Sequence, residues 1–175
     1  MSVVWYFAYG SNLQSATLRV RRGIDFQRAV PMRARGWQLV FDKPRLLGGE
    51  SSVANIVPDG TAAVLGVAFA MTEDDHAHVE LTEGVAFENY RRVELAVEPL
   101  APAPDSPPAA FSLTSERRDP ALRPSTRYMG LVIAGAIEHG LPAEYVEFLR
   151  GVAACEESPE SLALRPMLDQ LFKRR

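Results

Sequence analysis

Apolar runs broken by glycine, proline and aspartate fill the first half of the chain, whereas apolar residues at helical spacing dominate the second. "SVVWYFAY" is rich in β-branched and aromatic residues, and "GWQLVFD", "SVANIVP" and "AAVLGVAFAM" follow as further runs, which predicts four strands. "TEDDHAHVELTEGV" predicts one short helix, with Thr72 as cap, acidic residues in the first turn and a stop at Gly84. In "NYRRVELAVEPL" the residues Tyr90, Val93, Leu95 and Val97 are set inward against Arg92, Glu94 and Glu98, the pattern of a half-buried strand, with "AAFSLTS" as its candidate neighbour. Pro99, Pro102, Pro104, Pro107 and Pro108 crowd the segment between them and cannot donate ladder hydrogen bonds. A stiff hairpin loop is expected there in preference to a proline-rich docking segment.

After Pro124 the period changes. "STRYMGLVIAGAIEHG" predicts a helix capped by Ser125 and stopped at Gly140, "LPAEYVEFLRGV" a second opening on Pro142, and "SPESLALRPMLDQLFKRR" a third with Ser158 as cap and a basic last turn. Strands first and helices after predict an α+β domain whose sheet curls around a small cavity. With no internal repeat and no long linker, residues 1–175 read as a single domain, and 158–175 as a helical extension at its C-terminal end.

Composition narrows the partners. At 175 residues the chain can bury one core, and 47% hydrophobic with 23% charged residues is the balance of a globular protein. A net charge of -3 offers no broad positive field for nucleic acid or an anionic membrane surface, so a small-molecule partner is expected. The start "MSVVWYFAYG" lacks signal-peptide features, no apolar run approaches membrane-spanning length, and the single Cys155 suits a reducing compartment; a cytoplasmic location is the expectation.

Several side chains carry candidate chemistry. Gly10, Ser11 and Asn12 follow an apolar strand with small side chains and backbone N–H groups outside the ladder, a setting for a carboxylate or oxyanion, with a plain turn as the alternative. Glu83 stands between a helix and Gly84, beside Val85 and Phe87, where a partly buried carboxylate has the setting of a general base; a solvated helix-end residue is the alternative. His76 and His78 point roughly 200° apart if the segment is helical, so no metal is expected. Arg19, Arg21 and Arg22 beside "GIDF" read as a solvated face, with an anion patch as the alternative, arginine being the default cation in a chain with 17 arginines and two lysines. Cys155, in "VAACEES", reads as the end of an amphipathic helix and not as a nucleophile.

"YFAYGSNL" at Tyr6 to Leu13, "ELTEGV" at Glu80 to Val85 and "GLPAEYVEFL" at Gly140 to Leu149 together resemble the γ-glutamylcyclotransferase family. The likeness extends through "ARGWQLVFD", "SSVANIVPDGTAAVLGVAFAMTEDD" and "RPSTRYMGLVIAGAIEHG", covering about Trp5 to Leu149. It implies a mixed β-barrel flanked by helices, and an enzyme that cyclises the γ-glutamyl group of a small amide to 5-oxoproline and releases an amine or amino acid. It implies no metal or organic cofactor. Glu83 matches the family's acid–base position, and Tyr9, Gly10, Ser11, Asn12, Leu13 and Tyr128 match positions around the substrate. Phe111 stands where a second tyrosine aligns, which bears on the substrate. Two further readings stay open: removal of a γ-glutamyl protecting group from a biosynthetic intermediate, and a module that kept only small-anion binding. The leaving half would meet the mouth of the cavity, where Arg45 with Gly48 and Gly49, and Arg117, Arg118 and Arg123, are the candidates, with solvated loop charges as the alternative reading of each arginine.

Overall fold

The computed structural model describes residues 3–46 and 49–173. β1 (Val3–Ala8) lies antiparallel to the end of β3 (Ser51–Thr72), and β3 runs antiparallel to β2 (Arg28–Pro44) along most of its length. β6 (Ala109–Thr114) is parallel to β1, β4 (Arg91–Ala96) is antiparallel to β6, and β5 (Glu98–Pro99) pairs with β2 at the opposite end of the sheet. β7 (Arg123–Pro124) adds beside the start of β3. The order is therefore β4-β6-β1-β3-β2-β5. Only Val97 separates β4 from β5 in the chain, so the two ends of that path are tied together and the mixed sheet must curl. The result is an α+β half-barrel flanked by α1 (Glu73–Glu83), α2 (Thr126–Glu138), α3 (Ala143–Arg150) and α4 (Pro159–Phe172).

The caps follow the sequence signals. Thr72 Oγ1 accepts the Asp75 N–H at 3.1 Å, Ser125 Oγ that of Tyr128 at 3.1 Å and Ser158 Oγ that of Ser161 at 3.2 Å. Gly84 closes α1 at φ 74°, a backbone angle that favours glycine. Tyr6, Phe7 and Ala8 are buried in succession, as in a strand covered on both faces, and Phe7, Phe69, Met71, Leu18 and Ile24 are central to the core.

Three expectations are corrected. "SVANIVP" and "AAVLGVAFAM" are one strand, β3: the Asp59 carboxylate accepts the Thr61 N–H at 2.9 Å, and the ladder to β2 absorbs the irregularity between Arg35 and Trp37, around Gly36 at φ 79°. β2 begins well before "GWQLVFD", because Val30, Met32 and Ala34 alternate inward between exposed or half-buried neighbours that include Pro31, Arg33 and Arg35. Cys155 is not at a helix end; α3 stops at Arg150, and Cys155 exchanges backbone hydrogen bonds with Pro124 and Thr126 at 2.9 Å each. Beyond β5 the proline-rich segment is a loop, tied to the sheet where the Leu100 N–H donates to the Pro31 carbonyl at 3.0 Å, Arg28 to the Pro104 carbonyl at 2.8 Å and the Val97 N–H to the Pro108 carbonyl at 3.0 Å. Arg174 and Arg175 of the basic tail lie outside the described residues. No helix among the described residues is long and apolar enough to cross a membrane.

α2 presses directly on the chain that follows β1. A Cβ on Gly135 would lie 2.4 Å from the Gln14 nitrogen and 2.5 Å from the Leu13 carbonyl carbon. Gly135→Ala is therefore expected to cost about 1–3 kcal/mol, the range of an overpacked core. A denaturant midpoint unchanged from the parent protein would show that α2 and the turn are not in this contact.

Candidate functional site

β1 ends in a turn that becomes helical. Ser11–Leu13 form one 3-10 turn, closed by the Leu13 N–H donating to the Gly10 carbonyl at 2.9 Å and the Gln14 N–H to the Ser11 carbonyl at 3.3 Å. The next segment, Thr17–Arg22, is π-helical and stops on Gly23 at φ 67°. Such segments are rare and often lie at functional sites. Gly10 has φ -109°, so space and not backbone angle requires glycine there: a Cβ would stand 2.7 Å from the Tyr128 hydroxyl and 3.2 Å from the Ala54 Cβ.

The backbone N–H groups of the turn from Gly10 to Leu13 are thus unequal as donors to an anion. Leu13 commits its N–H to the turn and is fully buried, and the Ser11 backbone is bonded to the Tyr128 hydroxyl. Those of Gly10 and Asn12 are not among the turn's bonds, as befits the start of a helix. Tyr9 donates its hydroxyl to the Leu113 carbonyl at 2.5 Å and so ties β1 to β6. Tyr128 has its ring in the core and its hydroxyl at the cavity. That oxygen accepts the Ala54 N–H at 3.1 Å, and burial pushes the phenol up to about 12, so its proton is present to be donated. Burial likewise raises Tyr6, Tyr9 and Tyr90 well above the ordinary phenol value.

Glu83, the last residue of α1, meets this turn from the other side. Its Oε1 accepts from Asn12 Nδ2 at 3.0 Å and from Arg22 Nη2 at 2.6 Å, whereas Oε2 takes part in neither bond. Arg22 is fixed in turn by Thr82 Oγ1, and its carbonyl meets His78 Nε2 at 3.1 Å. Glu83 is partly buried; of the apolar neighbours expected beside it, Val85 packs against the core whereas Phe87 is exposed, and the carboxylate is held by an ion pair with Arg22. Asn12 Nδ2 also donates to the Tyr6 hydroxyl at 3.0 Å. Its Oδ1 is buried without a hydrogen-bond partner among the described residues. The amide orientation is set by Glu83, since the reverse would turn an amide oxygen toward a carboxylate.

These groups border a cavity of about 170 Å3 lined by Tyr6, Tyr9, Gly10, Asn12, Glu83, Tyr90 and Tyr128, with Arg21, Arg22, Arg45, Arg127 and Arg165 around it. Arg21 and Arg22 are therefore not a solvated face. Only Arg19 fits that reading, half exposed beside Asp25 and stacked 3.9 Å from the Phe26 ring centre. Burial and the cations Arg165 and Arg21 lower Arg127 below the usual arginine value. Of the expected mouth residues, Arg45 lines the cavity. Arg117 instead reaches Asn89 Oδ1 at 3.2 Å, Arg118 pairs with Asp42 at 2.6 Å and Arg123 bonds the Pro120 and Leu122 carbonyls. Gly48 lies outside the described residues. Phe111 does not line the cavity; its ring lies under Arg92 at 3.5 Å, so the absent hydroxyl is not a gap in the site. Among the described residues, no group of three His, Cys, Asp or Glu side chains is placed to hold a metal ion, and His76 packs against the rings of Phe111 and Tyr6.

Sequence reading missed Arg22, Tyr6, Tyr90 and Lys43. Tyr6 and Tyr90 read as core aromatics, and nothing local marks a tyrosine whose hydroxyl reaches a cavity. Lys43 is fully buried, donating to the Pro44 carbonyl and Asn89 Oδ1 at 2.7 Å each, over the Tyr90 ring at 4.3 Å. Burial, with Arg117 close by, brings it down to about 8. The native state therefore releases this proton before the unfolded chain does, and stability rises with pH between the two values. From pH 8 to 10 the unfolding free energy is expected to gain about 2–3 kcal/mol relative to Lys43→Met. Parallel pH profiles for the two proteins would contradict this.

Residues 63–149 match the model of the AIG2-like family. The chain is 32% identical over 177 residues to a γ-glutamyl cyclotransferase of Aspergillus oryzae, an alignment covering 91% of this chain and 64% of that protein. The chain thus spans just under two thirds of that relative. It is 27% identical over 150 residues to the γ-glutamylcyclotransferase of Bos taurus, covering 84% of this chain and 77% of the relative. A solved structure named γ-glutamyl cyclotransferase superposes with a TM-score of 0.77 at 22% identity, covering 97% of this chain and 99% of its own, and shows the same fold.

Proposed function

We propose that this chain, similar to the AIG2-like family over residues 63–149 and to γ-glutamyl cyclotransferases over most of its length, is a single-domain enzyme cyclising the γ-glutamyl group of a small amide to 5-oxoproline. One observation supports this reading most: on the wall of the cavity, Asn12 Nδ2 and Arg22 Nη2 hold one oxygen of Glu83 at 3.0 and 2.6 Å. A carboxylate fixed through one oxygen keeps the other for a proton. A substrate bound in that cavity brings its α-amine beside the carboxylate that must take its proton.

The chemistry needs little else. The α-amine reaches the γ-carbonyl carbon within one molecule, so its approach is intramolecular once the chain is folded back. Glu83 removes an amine proton as nitrogen attacks; Arg22 and Asn12 hold Oε1 and leave Oε2 for that proton. The carbonyl oxygen becomes an oxyanion, and in this mechanism the Tyr128 hydroxyl and the Gly10 and Asn12 N–H groups receive it. The bond to the leaving nitrogen then breaks, and Glu83 returns the proton to it. Nothing is oxidised and no water is consumed. The rim arginines suit the α-carboxylate, while Tyr9 and Leu13 act by fixing the turn.

The test is incubation with glutathione, γ-glutamyl-alanine and γ-glutamyl-ethylamine, followed for 5-oxoproline. Release from at least one is the expected result. Binding of these amides without turnover would favour the anion-binding module.

A further inference from the structure

Glu83 borders two chambers, and the reaction just described uses the smaller one. The larger, about 450 Å3, shares Arg22, Arg45, Glu83 and Tyr90 with it and extends to α4. Resting on the γ-glutamyl reading, we propose that the larger chamber holds the departing half of the substrate, and that the leaving group it fits is an amino acid with a bulky apolar side chain and a free carboxylate.

Two independent features point this way. The first is α4. It is fastened by ion pairs, Arg21 with Asp169 at 2.5 Å and Arg165 with Glu157, which also binds Arg45 at 2.8 Å, and among the described residues it contributes none to the main apolar core. Leu164 and Leu168, one turn apart on the same helix face, instead line the chamber with Leu46 and Val53. Leu164 is half exposed, apolar surface that a ligand of similar character would cover.

The second is Lys43. It lines this chamber, yet among the described residues no carboxylate pairs with it; its partners are a carbonyl, an amide oxygen that Arg117 also uses, and the Tyr90 ring. A buried charge without a counter-ion is costly. Because Lys43 is fully buried, a substrate carboxylate in the chamber acts on it through the wall and not by contact, and the lining as a whole sets five cations against Glu83 and Asp169. A small amino acid would leave the apolar wall bare. A bare amine would leave Lys43 without that charge.

Three substrates separate these contributions: γ-glutamyl-phenylalanine, γ-glutamyl-glycine and γ-glutamyl-phenethylamine, compared by kcat/KM with 5-oxoproline as the readout. The phenylalanine conjugate is expected to exceed each of the others by about tenfold or more, the scale of a filled apolar pocket or a paired charge. Replacing both Leu164→Ala and Leu168→Ala should bring the phenylalanine-to-glycine ratio toward one, whereas Met167→Asp, exposed on α4 and lining neither chamber, should not change it. Lys43→Met should bring the phenylalanine-to-phenethylamine ratio toward one, with circular dichroism confirming that the variant is folded. Equal values for the three substrates, or ratios that survive in the folded variants, would overturn the chamber assignment while leaving the cyclisation reading in place. No 5-oxoproline from any of the three would overturn the chamber assignment, and the cyclisation reading with it if glutathione, γ-glutamyl-alanine and γ-glutamyl-ethylamine gave none either.

Discussion

Glu83→Gln is expected to lower kcat by about 10²–10⁴-fold, the contribution of a positioned general acid–base. The substitution keeps the size of the side chain, and its amide oxygen can still accept from Asn12 Nδ2 and Arg22 Nη2, so the turn and the end of α1 stay in place. What is lost is the ability to take the amine proton and return it to the leaving nitrogen. KM should change far less than kcat, because the proposed mechanism assigns the α-carboxylate and the carbonyl oxygen to other groups. Glu80, one turn earlier, is the control: it faces Arg92 at 3.4 Å and lines neither chamber, and Glu80→Gln should leave turnover near the parent value. A Glu83→Gln protein with near full rate, or a Glu80→Gln protein as slow as it, would remove Glu83 from the reaction.

Gly10→Val is expected to cost about 10²-fold in kcat/KM, since a displacement near 1 Å in a site of this kind is enough for such a loss. The physical reason is a collision. The first side-chain carbon would sit 2.7 Å from the Tyr128 hydroxyl, a distance at which something must move, and the Ala54 Cβ at 3.2 Å closes the other escape. Tyr128 cannot retreat freely, because its oxygen accepts the Ala54 N–H and its ring lies in the core. Gly10→Ala should fall between the parent and Gly10→Val. Ser11→Ala should be mild, because the Ser11 group engaged with Tyr128 is its backbone. Equal activity for Gly10→Val and the parent would show that the Tyr128 hydroxyl and the turn take no part in binding or turnover.

The parts legible in the sequence were those set by local chemistry. Thr72, Ser125 and Ser158 announce their helices because a cap is a contact within three residues, and Gly84 and Gly140 stop theirs through backbone angle. The continuity of β3 was hidden by "PDGT", which looks like a turn but crosses a bulge, and the start of β2 by Pro31 among arginines, although the buried positions Val30, Met32 and Ala34 keep a period of two. For the site, the turn at Gly10 and the carboxylate at Glu83 stand out through residue type and placement. Arg22 does not. It reaches Glu83 across 61 positions of sequence, from a π-helical segment that no propensity marks, in a run of arginines that resembles any solvated face. Lys43 was equally silent, since a lysine near a loop is ordinarily exposed and only the closing of Asn89 and Tyr90 over it makes it buried.

The central claim is that the substrate's own α-amine, and not water, attacks the γ-carbonyl carbon. Turnover of a γ-glutamyl amino acid in water enriched in heavy oxygen, with the glutamyl product weighed by mass spectrometry, tests it directly. Cyclisation predicts 5-oxoproline without incorporated heavy oxygen, and no reaction from the same substrate acetylated on its α-amine. Glutamate carrying one heavy oxygen atom, formed equally from the acetylated substrate as its acetylated counterpart, would contradict the account and make the protein a hydrolase.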